Sequence, residues 1–287
     1  MKTKFFIILV IFLSIFQLKA ETKKTISVKN VDEFLKAIGN DVTIRILVER
    51  LDFSNFPTNI NNANTELISK DNAFCLQIKN IKNLKIIGQK KGTKIISNHK
   101  NIYLLSFKEV ENITIENLEA GQVSRESGVF LFENAKNISL KNCILFGGSE
   151  GLALKKVTDF RFENSIIRGT NQRILSIQNG NNIDFTKSRF TDNQALDLFY
   201  IIDSQHITFQ KCVIDLNKSG RGESYDNYAL FHVPMDAGNF TEIVILKECK
   251  IEDNFVQYFC RVKDIIKVEK CTMENNVFER GYQSVDF

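Results

Sequence analysis

The 287-residue chain has no tryptophan, only three histidines, and no long apolar run beyond its first 20 residues. The lack of tryptophan weakens the case for a carbohydrate platform built from large aromatic rings. His99, His206 and His232 do not have the spacing of metal ligands, so the sequence does not favour a zinc site or a Ser-His-Asp arrangement. No stretch after residue 20 reaches the ~18 apolar residues of a membrane span, so none is expected.

The first 20 residues have the pattern of a secretory signal peptide. Lys2 and Lys4 form a basic start, residues 5–16 are apolar, and Leu18 and Ala20 occupy the −3 and −1 sites. We expect cleavage after Ala20, followed by release into a periplasm or outside the cell. The segment holds three lysines and no acidic residue, so its removal lowers the formal net charge from +4 to +1. This nearly neutral balance does not indicate nucleic acid or an anionic membrane as a partner.

A short pattern, NISLKNCIL at residues 137–145, recurs along the chain. With Cys143 as the anchor, apolar residues lie five and three positions before it and two after it. This alternation predicts a strand with one buried face. Eight segments fit, with anchors at Gln89, Leu118, Cys143, Ser165, Ser188, Cys212, Cys249 and Cys271.

A second alternating strand precedes seven of the anchors by 13 and 11 positions, as in Phe130 and Phe132. For Cys249 the matching residues are Phe231 and Val233, if five extra residues lie between them and the anchor. Successive anchors are 22 to 37 residues apart, which is typical of a solenoid. Coils of short strands and tight turns predict a parallel β-helix, in which Leu140, Phe162 and Phe185 would stack at about 4.8 Å per coil. The alternative is a leucine-rich repeat, which residues 135–145 match in spacing. We disfavour it because the return segment carries a strand instead of a helix.

Two sets of asparagines fall at fixed positions in the coils. We expect each set to form a ladder of hydrogen-bonded, buried side chains at a bend. The simpler explanation is that asparagine is common in turns. One set follows the anchor by five positions (Asn193, Asn217, Asn254, Asn276) and the other precedes it by one (Asn117, Asn142, Asn164).

The segment VKNVDEFLKAIGN, residues 28–40, predicts a helix that caps the solenoid. Asn30 is suited to the N-cap with Glu33 three residues on, and Gly39 would end the helix. A strand at 43–49 should open the first coil, and residues 52–73 are expected to form a loop or an irregular coil.

Helix cap, strand and coils of this kind resemble the right-handed parallel β-helix proteins of the pectin-lyase-like superfamily, over residues 25 to about 280. The resemblance implies an all-β fold: one single-stranded right-handed parallel β-helix with a short N-terminal capping helix, spanning residues 21–287. Members include polysaccharide lyases, glycoside hydrolases, esterases and tail spikes. A pectate-lyase-like member would have carboxylates holding Ca²⁺ beside an Arg or Lys base, and a polygalacturonase-like member would have Gly-His-Gly and Arg-x-Lys strings. The sequence contains no Gly-His-Gly string, and an Arg-x-Lys string occurs once, at residues 261–263, with no Gly-His-Gly to accompany it.

The longest interval between anchors contains the first candidate site, within LNKSGRGESYDNYAL at 216–230. Its tyrosines and arginine suit sugar recognition, although a solvated excursion of the chain is the simpler interpretation. The candidate binding residues are Arg221, Glu223, Tyr225, Asp226, Tyr228 and His232.

Charged turns form a second candidate site. Stacking of the coils would bring acids from neighbouring turns within reach of an ion or a glycosidic bond, although charged turns are usually only solvated. The residues concerned are Arg125, Glu126, Glu150, Arg168, Arg173, Asp192, Asp197 and Asp215.

Four cysteines occupy the inward anchor position, where they are expected to serve as small core residues. Cys212, Cys249 and Cys271 should stack in adjacent coils. The sequence therefore leaves open whether two of them form a disulfide in an oxidising compartment.

Apolar residues are also expected on the outside of the first strand, where a loop, the C-terminal tail or a partner would cover them. They are Leu104, Val129, Ile174, Leu198 and Leu230, followed by Leu131, Tyr200 and Phe259.

The sequence favours a secreted β-helix module with a binding or structural role toward carbohydrate or another protein. One alternative is a polysaccharide lyase or glycoside hydrolase acting on an acidic polysaccharide. A second is a homo-oligomeric surface or adhesin-like protein. We expect no metal and no cofactor, except Ca²⁺ in the case of a lyase.

Overall fold

The computed structural model describes residues 24–54, 62–70, 73–90, 92–195, 197–219, 228–234, 243–262 and 264–279. The predicted signal peptide lies outside this part of the chain. Strands run parallel from coil to coil and form three long walls and one short one. The helix α1, Val31–Ala37, precedes the coils.

Wall 1 contains the first strand of each coil. Its strands are β4 (Thr65–Lys70), which is antiparallel to its neighbour β5 (Ala73–Lys79), then β8 (Asn101–Lys108), the first halves of β11 (Gly128–Lys141) and β13 (Glu150–Glu163), β15 (Arg173–Gln178), β19 (Phe199–Ile202), β23 (Ala229–His232) and β27 (Tyr258–Cys260).

Wall 2 contains the strand that leads to each anchor. Its strands are β1 (Lys24–Val28), β2 (Val42–Ile46), β6 (Lys85–Ile87), β9 (Glu111–Glu116), the second halves of β11 and β13, β16 (Asn181–Thr186), β20 (Gln205–Gln210), β24 (Val244–Lys247) and β28 (Ile266–Glu269).

Wall 3 follows the anchors, and a short fourth wall follows wall 3. Wall 3 has β3 (Arg50–Asp52), β7 (Thr93–Ser97), β10 (Leu118–Gln122), β12 (Ile144–Gly147), β14 (Ile166–Arg168), β17 (Arg189–Thr191), β21 (Val213–Asp215), β25 (Lys250–Glu252) and β29 (Thr272–Glu274). The fourth has β18 (Gln194–Ala195), β22 (Lys218–Ser219), β26 (Phe255–Val256) and β30 (Val277–Phe278).

Equivalent side chains stack inside the tube, as the repeat predicts. Leu140 is paired with Phe162, Phe162 with Phe185, and Phe185 with Phe209. The rings of Phe185 and Phe209 are stacked with centroids 4.6 Å apart. Each buried phenylalanine contributes about 1.5–3 kcal/mol, so these columns hold successive coils together. The return segments are strands, and the leucine-rich repeat is therefore wrong.

The corners explain the frequent asparagines. In the coil anchored at Cys143, the residues Asn134, Asn137 and Asn142 have φ angles of 51°, 54° and 52°. Asparagine and aspartate tolerate this left-handed conformation better than other residues with a side chain. Neighbouring coils repeat the same positions, so the periodic asparagines mark where the backbone must turn.

Both asparagine ladders are present, but only one is buried. Asn193 donates to Asn217 at 2.8 Å, and Asn217 donates to Asn254 at 2.9 Å, with all three side chains enclosed in the tube. In the other ladder Asn142 donates to Asn117 at 3.1 Å, but this ladder is exposed to solvent, contrary to the prediction. Its residues sit on the convex side of a corner, where water reaches them.

The capping helix forms where predicted. The Asn30 side chain accepts a hydrogen bond from the Glu33 N–H at 2.8 Å. The C-cap is Ile38, one residue before the predicted Gly39, and the strand predicted at 43–49 is observed as β2. Residues 52–73 are not simply a loop, because they contain β4, which pairs with β5.

The predicted outer apolar stripe is wrong for six of its eight residues. Leu104, Val129, Ile174, Leu198 and Leu230 are fully buried in the core, and so is Phe259. Each of the first five precedes another inward residue, so the first strand bends and turns two consecutive side chains inward. In the last coil Phe231 pairs with Cys260, which places Phe259 beside Leu230. Only Leu131 and Tyr200 remain partly exposed. The stripe therefore gives no support to an adhesin-like interface.

Candidate functional site

The bend in wall 1 determines which side chains point outward. Because two consecutive residues turn inward, the residue before this pair and the residue after it face outward. In several coils one of these positions carries an aromatic or charged side chain, whereas others hold small residues such as Ser106 and Ala153. We call the aromatic and charged side chains the outer cluster: Tyr103, Glu150, Arg173, Asp197, Tyr200 and His232.

Tyr103 and Glu150 meet across an intervening coil. Both are in register with Gly128, one on each side of it. The Tyr103 ring crosses Gly128 so closely that a β-carbon at this position would overlap it. The Tyr103 hydroxyl then donates to Glu150 Oε2 at 2.6 Å. A glycine is thus required between the two partners.

Glu150 is an unusual residue for an outer face. Only 7% of it is exposed, and its Oε1 is buried with no hydrogen-bond partner among the described residues. Burial, followed by the negative charge of Glu150, raises the pKa of Tyr103 well above its usual range. The phenol therefore stays protonated and continues to donate. A buried acceptor with no donor costs about 1–3 kcal/mol, so Glu150 is not explained by stability alone.

The next coils supply a second group of contacts. Arg173 Nη2 lies 3.9 Å from Asp197 Oδ2, and the Arg173 guanidinium lies 4.4 Å from the centre of the Tyr200 ring. Asp197 Oδ1 lies 2.9 Å from His232 Nδ1. The Tyr200 and His232 rings are 5.2 Å apart. These four side chains therefore form one contiguous group.

The Asp197–His232 pair fixes the orientation of the imidazole. A carboxylate only accepts hydrogen bonds, so His232 Nδ1 carries the proton. In the neutral ring the other nitrogen, Nε2, is then a proton acceptor. The group thus combines a proton acceptor with a guanidinium, aromatic faces and carboxylates that can accept hydroxyl groups.

A groove of about 560 Å³ adjoins the outer cluster where wall 3 turns back to wall 1. Asn171 lies in its lining, and its Oδ1 is buried with no hydrogen-bond partner in the part of the chain that the structure describes. Gly147 and Gly148 have φ angles of 70° and 72° and lie against the chain of the preceding coil, where a β-carbon would overlap main-chain oxygens. The lining consists of Gln122, Val123, Arg125, Gly147, Gly148, Gly169, Thr170, Asn171, Asp192 and Gln194.

The sequence candidates are only partly brought together. Arg221, Glu223, Tyr225 and Asp226 lie outside the described residues. Tyr228 directly precedes β23, and its carbonyl accepts from the Tyr258 N–H at 3.2 Å. Of that first candidate set, His232 belongs to the outer cluster.

The second candidate set divides into three groups. Glu150, Arg173 and Asp197 belong to the outer cluster, and Arg125 and Asp192 line the groove. The others are engaged elsewhere: Glu126 pairs with Lys100, Arg168 lies over Phe146, and Asp215 pairs with Arg189. Tyr103 was missed, although its place just before the inward pair Leu104 and Leu105 could have identified it.

Within the described residues, no group of three or more His, Cys, Asp or Glu side chains is arranged to hold a metal ion. The same residues include no helix with the length and hydrophobicity of a bilayer span.

A family model described as "Right handed beta helix region" matches residues 67–231. Because this match covers more than half of the chain, the protein belongs to the right-handed β-helix family, and its fold is that of the pectin-lyase-like superfamily. No curated protein sequence gives a significant match.

Solved structures with a similar fold include enzymes and an adhesin. A pectate lyase from Paenibacillus sp. 0602 is 11% identical with a TM-score of 0.60, over 90% of this chain and 79% of that one. An alginate lyase from Paenibacillus sp. str. FPU-7 is 12% identical with a TM-score of 0.48, over 91% and 98%. The Streptococcus pneumoniae surface protein and adhesin PfbA is 11% identical with a TM-score of 0.46, over 92% and 89%. At 11% identity the similarity to the pectate lyase establishes the fold alone.

Proposed function

We propose that this protein is a secreted or periplasmic β-helix module that binds a polysaccharide across wall 1. The observation that carries the proposal is the outer cluster. Glu150, Arg173, Asp197 and His232 come from four successive coils, and Tyr103 reaches Glu150 from two coils earlier. Coils repeat at about 4.8 Å, so a sugar chain lying along the tube would meet one set of side chains after another.

The chemistry of the outer cluster suits this ligand. Carboxylates such as Asp197 accept hydrogen bonds from sugar hydroxyls, and the Arg173 guanidinium donates to hydroxyl or carboxylate oxygens. The Tyr200 ring adds an apolar face beside these polar groups. The adjoining groove, with the unpartnered Asn171 Oδ1, extends the surface toward wall 3.

Calorimetric titration of the chain with pectic, alginate, xylan and glucan polysaccharides tests this proposal. We expect binding to at least one of them, and we expect Arg173→Ala to weaken it about tenfold. Arg161→Ala is the matched control, because Arg161 is an exposed arginine on the outside of wall 2. The proposal fails if no polysaccharide binds, or if both variants weaken binding equally.

A second candidate function is cleavage of the bound polysaccharide, and the Asp197–His232 pair is the observation that favours it. In a lyase acting on a uronate, His232 Nε2 would remove the proton next to the carboxylate. The glycosidic C–O bond at the adjacent carbon would break as the C=C bond forms, and the departing oxygen would take a proton from water. Arg173 would stabilise the negative charge that develops there. The described residues offer no group of three or more His, Cys, Asp or Glu side chains that would hold Ca²⁺.

The lyase candidate has its own measurement. Absorbance of the unsaturated product should rise with wild-type protein on an acidic polysaccharide, and His232→Ala should abolish the rise while the polysaccharide still binds. If wild-type protein gives no product with or without added Ca²⁺, this candidate is wrong and the binding proposal stands.

A further inference from the structure

Three cysteines stack in the last three coils. Wall 2 pairs Gln210 with Lys247, and Lys247 with Glu269, which brings the anchors Cys212, Cys249 and Cys271 into register. Cys143 occupies the same position earlier in the tube, but the anchor of the next coil is Ser165. All four cysteines are free thiols.

Cys249 and Cys271 are close enough to be linked. In-register strands place their Cα atoms about 4.8 Å apart, inside the ~4.4–6.8 Å range of disulfides. The Cys249 N–H lies 3.3 Å from Cys271 Sγ. The two sulfurs also occupy equivalent places, since Cys249 Sγ lies 3.2 Å from the Phe209 carbonyl and Cys271 Sγ lies 3.4 Å from the Leu246 carbonyl. Both thiols therefore point into the same column.

Access to this column is one-sided. Cys212 and Cys249 are each 1% exposed, whereas Cys271 is partly exposed. The reason is that Cys271 lies in the last of the described coils, whose strands β28 and β29 pair only with β24 and β25 among the described strands. An oxidant reaches Cys271 first, and Cys249 lies directly behind it.

The thiols also interact with one another. A hydrogen bond from the Cys249 thiol lowers the pKa of Cys212, and the same contact raises the pKa of Cys249 to about 12. The contact with Cys249, together with burial, raises the pKa of Cys271. Since the thiolate is the reactive form, oxidation of Cys249 and Cys271 should be slow near neutral pH and should accelerate as the pH rises.

We propose that Cys249 and Cys271 are a disulfide-forming pair that links the last coil to the coil before it. With oxidised glutathione, the Cys271 thiolate attacks one sulfur of that disulfide and releases one glutathione thiolate. The Cys249 thiolate then attacks the Cys271 sulfur of the mixed disulfide and releases the second. Two protein thiols become one disulfide, and the two thiol protons end on the two glutathiones.

The bond would close a loop within the terminal coils and hold the end of the tube in place. Crosslinking stabilises a protein chiefly by restricting its unfolded chain. We therefore expect the oxidised protein to melt roughly 5 °C higher than the reduced protein.

The experiment treats the whole chain with oxidised glutathione at mildly alkaline pH, blocks the remaining thiols with N-ethylmaleimide after denaturation, and maps the peptides by mass spectrometry. We expect two of the six cysteines to escape alkylation and a crosslink to join Cys249 to Cys271. Cys143→Ser should react as the wild type does. Cys249→Ser should stop at a glutathione adduct on Cys271.

Three results in the wild-type protein would overturn the proposal. They are alkylation of all six cysteines, a persistent glutathione adduct on Cys271, and a crosslink that joins Cys212 to Cys249. Because each is read in the unsubstituted chain, poor folding of a variant cannot hide the answer.

Discussion

The outer faces of wall 1 and wall 2 belong to the same coils but are built differently. On wall 2, Lys141 pairs with Glu163 at 3.4 Å, and Lys85 pairs with Glu116 at 2.9 Å, with side chains that remain in contact with water. On wall 1, Glu150 is buried and receives a hydrogen bond from Tyr103.

The difference distinguishes a solvated outer face, on wall 2, from the face on wall 1 that we propose binds a ligand. Exposed ion pairs contribute at most about 1 kcal/mol, and their removal changes little. Burial of a carboxylate is unfavourable unless its charge and its oxygens are compensated. Glu150 Oε1 has no hydrogen-bond partner among the described residues, and this is one reason why we place the ligand on wall 1.

The sharpest test of this difference uses Gly128, which lies between Tyr103 and Glu150. Gly128→Val should displace the Tyr103 ring and leave the Glu150 carboxylate without its donor, lowering the free energy of unfolding by about 3–4 kcal/mol. Ser139→Val is the matched control, because Ser139 lies on the outside of wall 2 in the same strand β11. It should change stability by less than about 0.5 kcal/mol in urea denaturation. Equal effects would remove the distinction between the two walls.

A milder change isolates the hydrogen bond itself. Tyr103→Phe keeps the ring but removes the hydroxyl that lies 2.6 Å from Glu150 Oε2. We expect a loss of about 2 kcal/mol, since hydrogen bonds to charged groups are the stronger kind. A double-mutant cycle with Glu150→Gln should give a coupling free energy above about 1 kcal/mol. A coupling near zero would mean that this contact does not stabilise wall 1.

The smallest effect is expected on wall 2. The Lys141 and Glu163 side chains are 46% and 45% exposed, so Lys141→Ala should cost no more than about 0.5 kcal/mol. Added salt should reduce even this difference, because exposed charges are screened. A loss of 2 kcal/mol or more in thermal or chemical denaturation would contradict our description of wall 2 as a merely solvated face.

The coils could be predicted from the sequence because their signal is local and repeated. Each inward residue, such as Phe162 or Phe185, lies at a fixed distance from its anchor, and the core requires the same pattern in every coil. The asparagine ladders follow for the same reason. The exposed position of Asn142 was missed, because a fixed spacing does not show on which side of a corner a residue lies.

The outer cluster could not be predicted as a unit. Strict alternation treats the first strand as straight, so Leu104 was placed outside and the outward direction of Tyr103 was lost. The cluster also depends on contacts between coils, such as the contact of Asp197 with His232. These two residues belong to neighbouring coils, but the interval of sequence between them is longer than the usual repeat. Spacing identified Glu150, Arg173 and Asp197 as stacked charges, but it did not show that Tyr200 and His232 complete the group.

Hydroxyl-radical footprinting of the whole chain, with and without the polysaccharide that binds most tightly, tests the central claim most directly. The account predicts that Tyr103, Tyr200 and His232 on wall 1 become protected, while side chains on the outside of wall 2 such as Lys141 and Arg161 react at unchanged rates. Protection of wall 2 with no change at Tyr200 and His232 would contradict it.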